Sequence, residues 1–448
     1  MTNQKNADAL FTLNGVPPLG QVVPLGLQHV VAAIVGVVTP AILVSGTCGI
    51  EGPDRTIMIQ MSLVISALAT LLQLFPIFRT IGAGLPVIMG VSFAYIPTLQ
   101  SIGTGFQDMA QAGGYNVIRV ILGAQIIGGL TAIIFGIFLK RLRKLFPPIV
   151  TGTVIFTIGL SLYPTAVRYM AGGSGNPDFG SPKQWLVAII TLGVVVFMNY
   201  FTKGSLKLAS ILVGMVVGYI VALVMGMVSF DAVISASWAQ IIPPLHFGMP
   251  VFIPSACISM AIMYIVNSVQ AIGDFSSTTL GGLDREPTDQ ELSGGIMANG
   301  LASIVGAFFG GLPTATYSQN VGIVTVNRVV NKTVFAFAAG VLLVAGFIPK
   351  FSSVLTTIPQ CVIGGATISV FATITMTGIR MITSATLTPR NVTVVGLAVA
   401  LGVGVTQVQN CLGGFPAWVG VIFGGSSVVI ATLGAILLNT ILPKDSNT

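Results

Sequence analysis

Long apolar stretches separated by short polar turns fill almost the whole of this chain, and they limit what it can fold into. Its 19 basic and 12 acidic residues make up 7% of the 448 residues, whereas 54% are hydrophobic. Soluble domains carry about 25% charged residues, so this chain lacks the groups that would cover a water-facing surface. Lipid must therefore solvate it, and the composition predicts an all-α polytopic membrane protein.

The hydropathy predicts fourteen apolar spans, several of them short. Their approximate bounds are 22–45, 55–76, 82–100, 116–139, 146–167, 184–202, 206–228, 251–272, 295–311, 318–330, 333–349, 355–378, 391–407 and 416–441.

The basic residues are distributed unevenly between the two sides of these spans. With loops numbered alternately from an inside N-terminus, fourteen lie inside: Lys5, Arg79, Lys140, Arg141, Arg143, Lys144, Lys203, Lys207, Arg285, Arg328, Lys332, Arg380, Arg390 and Lys444. Four lie outside: Arg55, Arg168, Lys183 and Lys350. This asymmetry predicts a multi-pass protein of the cell membrane with both termini cytoplasmic. The net charge of +7 thus reflects topology, and no nucleic-acid partner is expected.

Cofactor sites and catalytic motifs are not found in the sequence. The four cysteines, Cys48, Cys257, Cys361 and Cys411, lie in apolar sequence without a CxxC spacing, and there are only 2 histidines. We interpret the cysteines as small apolar residues and expect neither a metal nor another cofactor. No Walker A, HExxH or Ser/His/Asp pattern occurs, so an enzyme is not expected. The polar first 20 residues do not look like a cleaved signal peptide.

Two sequence matches relate the halves of the chain. GLPVIMGVSFAYIP (84–97) matches GLPTATYSQNVGIV (311–324), and FPPIVTGTV (146–154) matches IPQCVIGGAT (358–367). Seven spans in each half is an odd number, which predicts two repeats of inverted orientation. Proline and glycine interrupt helices, so we expect short extended pieces near 86–92 and 313–318, each followed by a short helix whose N-terminus points at a central binding site.

The polar residues around these breaks are the first candidates for ligand contacts. Tyr317, Ser318, Gln319 and Asn320 stand at the second break, where they either bind a ligand or only cap and join helices. Gln319 is the residue that we favour for a ligand role.

One carboxylate, Asp274, is expected inside the membrane, and such a group is a functional candidate by default. Asn267 and Gln270 share its helical face. Asp274 either takes up a proton or anchors a loop near the cytoplasmic end of its span. His29, inside the first span, is expected to make a structural hydrogen bond or to tune the site.

The stretch QNVGIVTVNR (319–328) resembles the signature [Q/E/P]-N-x-G-x-x-x-x-T-[R/K/G] of the nucleobase–ascorbate transporter family, also called nucleobase:cation symporter-2. Gln319, Asn320, Gly322 and Arg328 match this signature, and Asn327 stands where the family has Thr. GLQHVVA, FPPIVTG and QAIGD extend the resemblance along nearly the whole chain. It points in particular to xanthine and uric acid permeases.

The resemblance implies fourteen spans in two inverted seven-span repeats, with short β-strands in spans 3 and 10, and a homodimer working by an elevator-like motion. It implies a core domain of spans 1–4 (22–140) and 8–11 (251–350), and a gate domain of spans 5–7 (141–230) and 12–14 (351–441). Tails of 1–21 and 442–448 complete the expected organisation.

By the same resemblance, Gln319 pairs with a purine, Phe93 stacks on the base, and Ser92 influences selectivity. Two departures concern expected carboxylates, because Gln270 replaces a Glu and Asn299 an Asp. Coupling then rests on Asp274 alone, or the substrate is anionic like urate, or Gln270 is an engineered Glu→Gln change.

These observations predict a secondary transporter that imports a purine nucleobase, xanthine or urate, with protons or sodium. Gln270, Gln319, Phe93, Ser92, Asn320 and Ser318 are the predicted substrate contacts, and Asp274, His29 and Asn299 are predicted to tune the site or couple it to protons. An anion transporter of the same fold and an uncoupled facilitator or channel stay open as alternatives.

Overall fold

Helices make up most of the computed structural model, which describes residues 9–142, 145–173, 176–408, 411–416 and 419–443. In chain order they are α1 (Leu19–Thr47), α2 (Gly52–Leu74), α3 (Ile96–Gly105), α4 (Gln107–Ala112), α5 (Ile118–Ile137), α6 (Leu139–Leu142), α7 (Pro148–Met170), α8 (Pro182–Phe201), α9 (Ser205–Leu208), α10 (Ser210–Val224), α11 (Asp231–Ser235), α12 (Pro254–Leu283), α13 (Asp289–Phe309), α14 (Ser318–Asn327), α15 (Lys332–Gly346), α16 (Pro349–Thr356), α17 (Gln360–Ser384), α18 (Pro389–Gln407) and α19 (Ser427–Ile441).

Nine helices in the described ranges are long and apolar enough to cross a membrane: α1, α2, α5, α7, α8, α12, α13, α17 and α18. The pair α15 and α16 makes a tenth when taken together, although it bends by 81°. Helices α10 and α19 are apolar but shorter. The chain is therefore a multi-pass membrane protein, as its composition predicts.

Two three-residue strands interrupt this helical architecture. Strand β1 (Met89–Val91) pairs antiparallel with β2 (Thr314–Thr316), with Gly90 opposite Ala315. Both lie inside the extended pieces expected after the GLP sequences. Each strand leads into a short helix, α3 after a 3-10 turn and α14 directly. The antiparallel pairing of β1 with β2 thus places the starts of α3 and α14 near each other inside the protein.

The helices pack as two groups. The first bundle consists of α1, α2, α5, α12, α13 and α15, and it holds both strands together with α3 and α14. The second bundle consists of α7, α8, α10, α17, α18 and α19, with α7 packed along α17. The strand pair lies on the side of the first bundle that faces the second.

Several predicted span bounds are wrong. The span predicted at 251–272 is helix α12, which continues to Leu283 and so encloses Asp274. Polar residues lower the hydropathy there, but the hydroxyls of Thr278 and Thr279 donate to carbonyls one turn earlier and so find their partners within the helix. In the last span, predicted at 416–441, the described residues form a π-helical turn at Gly420–Gly424 and an α-helix only from Ser427 onward.

Other expectations can be compared with the structure directly. Cys48, Cys257 and Cys361 are buried, as expected of small apolar residues, whereas Cys411 is exposed after α18 and its Sγ donates to the carbonyl of Val405 (3.2 Å). From the predicted tails, residues 1–8 and 444–448 lie outside the described residues, as do Arg143 and Lys144. Part of the N-terminal tail is folded, since Asn331 donates to carbonyl oxygens of Ala9 and Gly15.

Candidate functional site

A cavity of about 240 Å³ lies between the strand pair and the second bundle. The first bundle lines it with Gly36, Ser92, Phe93, Ala94, Gln270, Thr316, Tyr317, Ser318 and Gln319. The second bundle lines it with Ile155, Ile158, Val370, Thr373, Ile374 and Thr377. Five predicted contacts, from α12 and from both helix starts, therefore share one cavity: Gln270, Gln319, Phe93, Ser92 and Ser318.

The first-bundle wall is rich in hydrogen-bond donors. Helix α14 begins at Ser318, and its first backbone bonds run from Asn320 and Val321 to the carbonyl of Tyr317. The N–H groups of Ser318 and Gln319 precede those bonds and so have no partner within the helix. At the other helix start, the Ser92 hydroxyl accepts from the N–H of Ala94 (3.1 Å). Two positive helix ends and two side-chain amides thus share one small volume.

The second-bundle wall is mostly apolar. Its two hydroxyls, on Thr373 and Thr377, donate to the carbonyls of Ser369 and Thr373 at 2.9 Å, so toward the cavity they can only accept. The ring of Phe93 meets Phe371 of α17 edge-on, with centroids 5.3 Å apart. Polar recognition is therefore concentrated on the first bundle.

Asp274 lies behind the cavity wall rather than in it. Its carboxylate accepts hydrogen bonds from the hydroxyls of Ser318 (2.7 Å) and Thr316 (2.5 Å). The residue is buried inside α12. It therefore joins α12 to the end of β2 and the start of α14, and it sets the position of the backbone that faces the cavity.

Three other predicted site residues also lie outside the cavity lining. The Asn320 amide lies 3.0 Å from Nδ1 of His29 and donates to the His29 carbonyl (3.0 Å), so it points away from the cavity toward α1. His29 packs against Phe335, and its described contacts do not include Asp274. Asn299 accepts from the Thr314 hydroxyl (2.7 Å) in β2. Direct substrate contact by Asn320, as predicted, does not fit this geometry.

Tyr317 is a residue whose position the sequence did not reveal. Its hydroxyl donates to the carbonyl of Val91 (2.7 Å) and its N–H to the carbonyl of Ile88, which extends the strand pairing. A Cβ on Gly90 would lie 2.4 Å from the Tyr317 ring. The two GLP repeats indicated that these segments meet, but the ring-on-glycine contact depends on their register.

The arrangement suits reversible binding of a flat polar molecule. Amides offer donors and acceptors in one plane, helix starts offer N–H groups, and Phe93 offers a ring face. Among the described residues, no group of three His, Cys, Asp or Glu side chains could hold a metal ion.

A protein-family model described as "Permease family", and labelled Xan_ur_permease, matches residues 20–411. The chain belongs to this family. The permease is thus a membrane transporter and not an enzyme. The family agrees with the one that the motif at 319–328 indicated.

Curated relatives align over almost the full length of the permease. It is 32% identical to a xanthine permease of Bacillus subtilis, with 94% of both chains covered. It is 33% identical to the uric acid permease PucK of the same organism, covering 94% of this chain and 95% of the relative. To the uric acid transporter UacT of Escherichia coli it is 31% identical, covering 94% of this chain and 86% of the relative. These relatives support nucleobase transport as the functional class.

Solved structures share the fold at low sequence identity. The transmembrane domain of a cyanobacterial bicarbonate transporter, BicA, superposes with a TM-score of 0.61 at 17% identity, covering 93% of this chain and 97% of that one. SLC26A9 gives a TM-score of 0.63 at 10% identity, covering 95% of this chain and 66% of that one. The permease therefore has the architecture of these transporters.

Proposed function

We propose that the permease imports a purine nucleobase, xanthine or urate, by proton symport. The observation that carries this proposal is the convergence of Gln270, Gln319, Phe93 and two helix starts on one cavity. A purine presents lactam N–H and C=O groups along its edges, which a carboxamide can pair with bidentately. The names of the relatives agree with this substrate class.

The missing carboxylate in the cavity favours a particular kind of purine. Among the described residues, no charged side chain lines the cavity, and Gln270 stands where the resembling family has Glu. A neutral amide and two positive helix ends tolerate an anion such as urate, which a carboxylate would repel. The same feature supports the second candidate, an anion transporter of this fold. An uncoupled facilitator is the third.

Asp274 is the proposed proton carrier. It is the one carboxylate among the buried side chains of the described residues, and Ser318 beside it lines the cavity. Protonation would weaken its acceptor bonds to Thr316 and Ser318, which hold the start of α14. Proton uptake and the geometry of the binding backbone would therefore be linked.

The proposed architecture has fourteen spans in two inverted repeats, with the first bundle as core (22–140 and 251–350) and the second as gate (141–230 and 351–441). Helices α7 and α17, from opposite halves, support this because they pack antiparallel with reciprocal contacts. A Cβ on Gly152 would meet the backbone near the end of α17, and one on Gly364 would meet the backbone near the end of α7. Spans 3 and 10 are then the strand-led helices α3 and α14. We propose that two such chains form a dimer and that each core moves past its gate.

A ligand panel on the purified permease tests this function. Xanthine and urate are expected to raise the unfolding temperature, and chloride, sulfate and bicarbonate are not. Stabilisation by bicarbonate or sulfate alone would instead favour the anion transporter. Uptake of labelled purine by proteoliposomes that is indifferent to an imposed pH gradient would favour the facilitator.

A further inference from the structure

Two hydrogen bonds join the bundles on one side of the substrate cavity. The hydroxyls of Thr98 on α3 and Ser426, just before α19, lie 3.1 Å apart. The Thr165 hydroxyl on α7 donates to Oε1 of Gln100 on α3 (3.2 Å). We call these four residues the outer closure. Each bond connects a first-bundle residue to a second-bundle residue.

Two cavities lie at the two ends of α3, on either side of the outer closure. Ser92, Phe93 and Ala94, just before α3, line the substrate cavity. Ser101, Thr104 and Gly105, at the far end of α3, line a wider cavity of about 640 Å³, whose other wall includes Gly424 and Gly425. Thr98 and Gln100 lie between these two sets. We call the wider cavity the outer vestibule, because the predicted topology puts the end of α3 on the side with few basic residues.

Along the second bundle, the substrate cavity, the outer closure and the outer vestibule follow one another in the same order. Ile155 and Ile158 of α7 line the substrate cavity, and Thr165 lies about two helical turns further toward the outer side. Ser426 directly follows Gly425 of the vestibule wall. The four residues thus meet at one level, between vestibule and substrate.

The hydroxyl of Ser426 has no other described role. Ser426 precedes α19 but makes no side-chain cap bond to that helix. Thr98 and Ser426 are only 1% and 2% exposed, so their bond lies in a closed seam. Gln100 is oriented from its own bundle, since its Nε2 donates to the Thr47 hydroxyl (3.3 Å). All four groups are neutral, and parting them leaves no buried charge.

We infer that the outer closure shuts the entry route between the outer vestibule and the substrate cavity, and that it must part in every transport cycle. This inference rests on the proposed alternating-access transport. It assigns a role in transport to four residues that do not line the substrate cavity.

A disulfide across the seam tests the inference. In a background with the four native cysteines changed to alanine, Thr98→Cys/Ser426→Cys is expected to cross-link on oxidation, to lose xanthine uptake into proteoliposomes, and to regain it on reduction. Each single variant, oxidised in the same way, should keep its uptake. Full uptake by the cross-linked protein would overturn the inference, and so would failure of the thiols to cross-link.

A second measurement does not depend on purine transport. With a reporter cysteine at Ile158, an impermeant maleimide added outside should label Thr98→Val and Ser426→Ala about three- to tenfold faster than the parent, because one neutral hydrogen bond no longer closes the seam. The double variant should be no faster than the single ones. Thr157→Val is the control, since that buried hydroxyl donates to Thr153 within α7. Unchanged labelling would contradict the closure, whereas changed labelling without xanthine binding would contradict only the proposed function.

Discussion

At the scale of single residues, one wall of the cavity is rich in hydrogen-bond donors and the other is mostly apolar. Substitutions on the two walls should therefore change purine affinity by very different factors. Gln319→Ala removes an amide from the donor-rich wall. We expect xanthine affinity to fall about ten- to a hundredfold, because the polar purine groups that Gln319 is proposed to pair with would be left without hydrogen bonds. Thr373→Val changes the opposite wall, where the hydroxyl already donates to its own helix, and should cost no more than about threefold.

Titration calorimetry or a thermal-shift series on both variants measures this contrast. Equal losses in the two variants would show that both bundles hold the substrate. Unchanged binding by Gln319→Ala would remove this residue from the site.

Gln270 permits a second prediction at this scale. Gln270→Glu places a carboxylate in a cavity whose described lining carries no charged side chain. We expect the affinity for anionic urate to fall about tenfold more than that for neutral xanthine, since only urate meets like-charge repulsion. Competition binding of both purines to wild type and variant measures the ratio. A similar change for both purines would mean that the exchanged group does not lie against the charged edge of urate.

At the scale of elements, the pairing of β1 with β2 depends on a glycine. A Cβ at Gly90 would lie within 2.4 Å of the Tyr317 ring, whose hydroxyl holds Val91. Gly90→Ala should therefore push the ring aside. The overpacking should lower the free energy of unfolding by about 1–3 kcal/mol, and with it the unfolding temperature. Purine binding should weaken as well. Gly340→Ala on α15, where a Cβ meets nothing within 4 Å, is the control and should be neutral or slightly stabilising. Equal unfolding temperatures for Gly90→Ala and Gly340→Ala would contradict this account of the strand pair.

The same elements show what sequence reasoning can reach. Gly and Pro in the paired GLP segments predicted both extended pieces, because those residues break helices wherever they occur. The end of α12 was missed because hydropathy falls over Ser276, Thr278 and Thr279, although the two threonine hydroxyls donate to carbonyls within the helix. Asn320 was assigned to the substrate because a motif gives residue types but not the direction of a side chain. Its pairing with His29 joins residues 291 positions apart, which a local pattern cannot show.

At the scale of the whole molecule, the uneven charge distribution stays a prediction from the sequence, and it assigns the two ends of a helix to opposite sides. Arg79 follows α2 and Arg285 follows α12, whereas Arg55 and Lys183 lie at the opposite ends of α2 and α8. With the predicted topology, Arg79 and Arg285 lie inside, whereas Arg55 and Lys183 lie outside. How the two bundles contact each other was not predictable, since the residues of the seam, such as Thr98 and Ser426, are ordinary hydroxyl residues in apolar sequence.

The final prediction concerns coupling across the whole protein. Wild-type permease in proteoliposomes should accumulate labelled purine when the outside is more acidic, and a protonophore should abolish the accumulation. Asp274→Asn keeps one acceptor oxygen for Thr316 or Ser318 but carries no titratable proton. It should therefore lose accumulation driven by the pH gradient while still exchanging internal for external purine, because exchange needs the bundles to move but no net proton flux. Retained accumulation in Asp274→Asn would show that another group carries the proton. Loss of both accumulation and exchange, together with a lower unfolding temperature, would mean that Asp274 serves only to hold β2 and α14 in place.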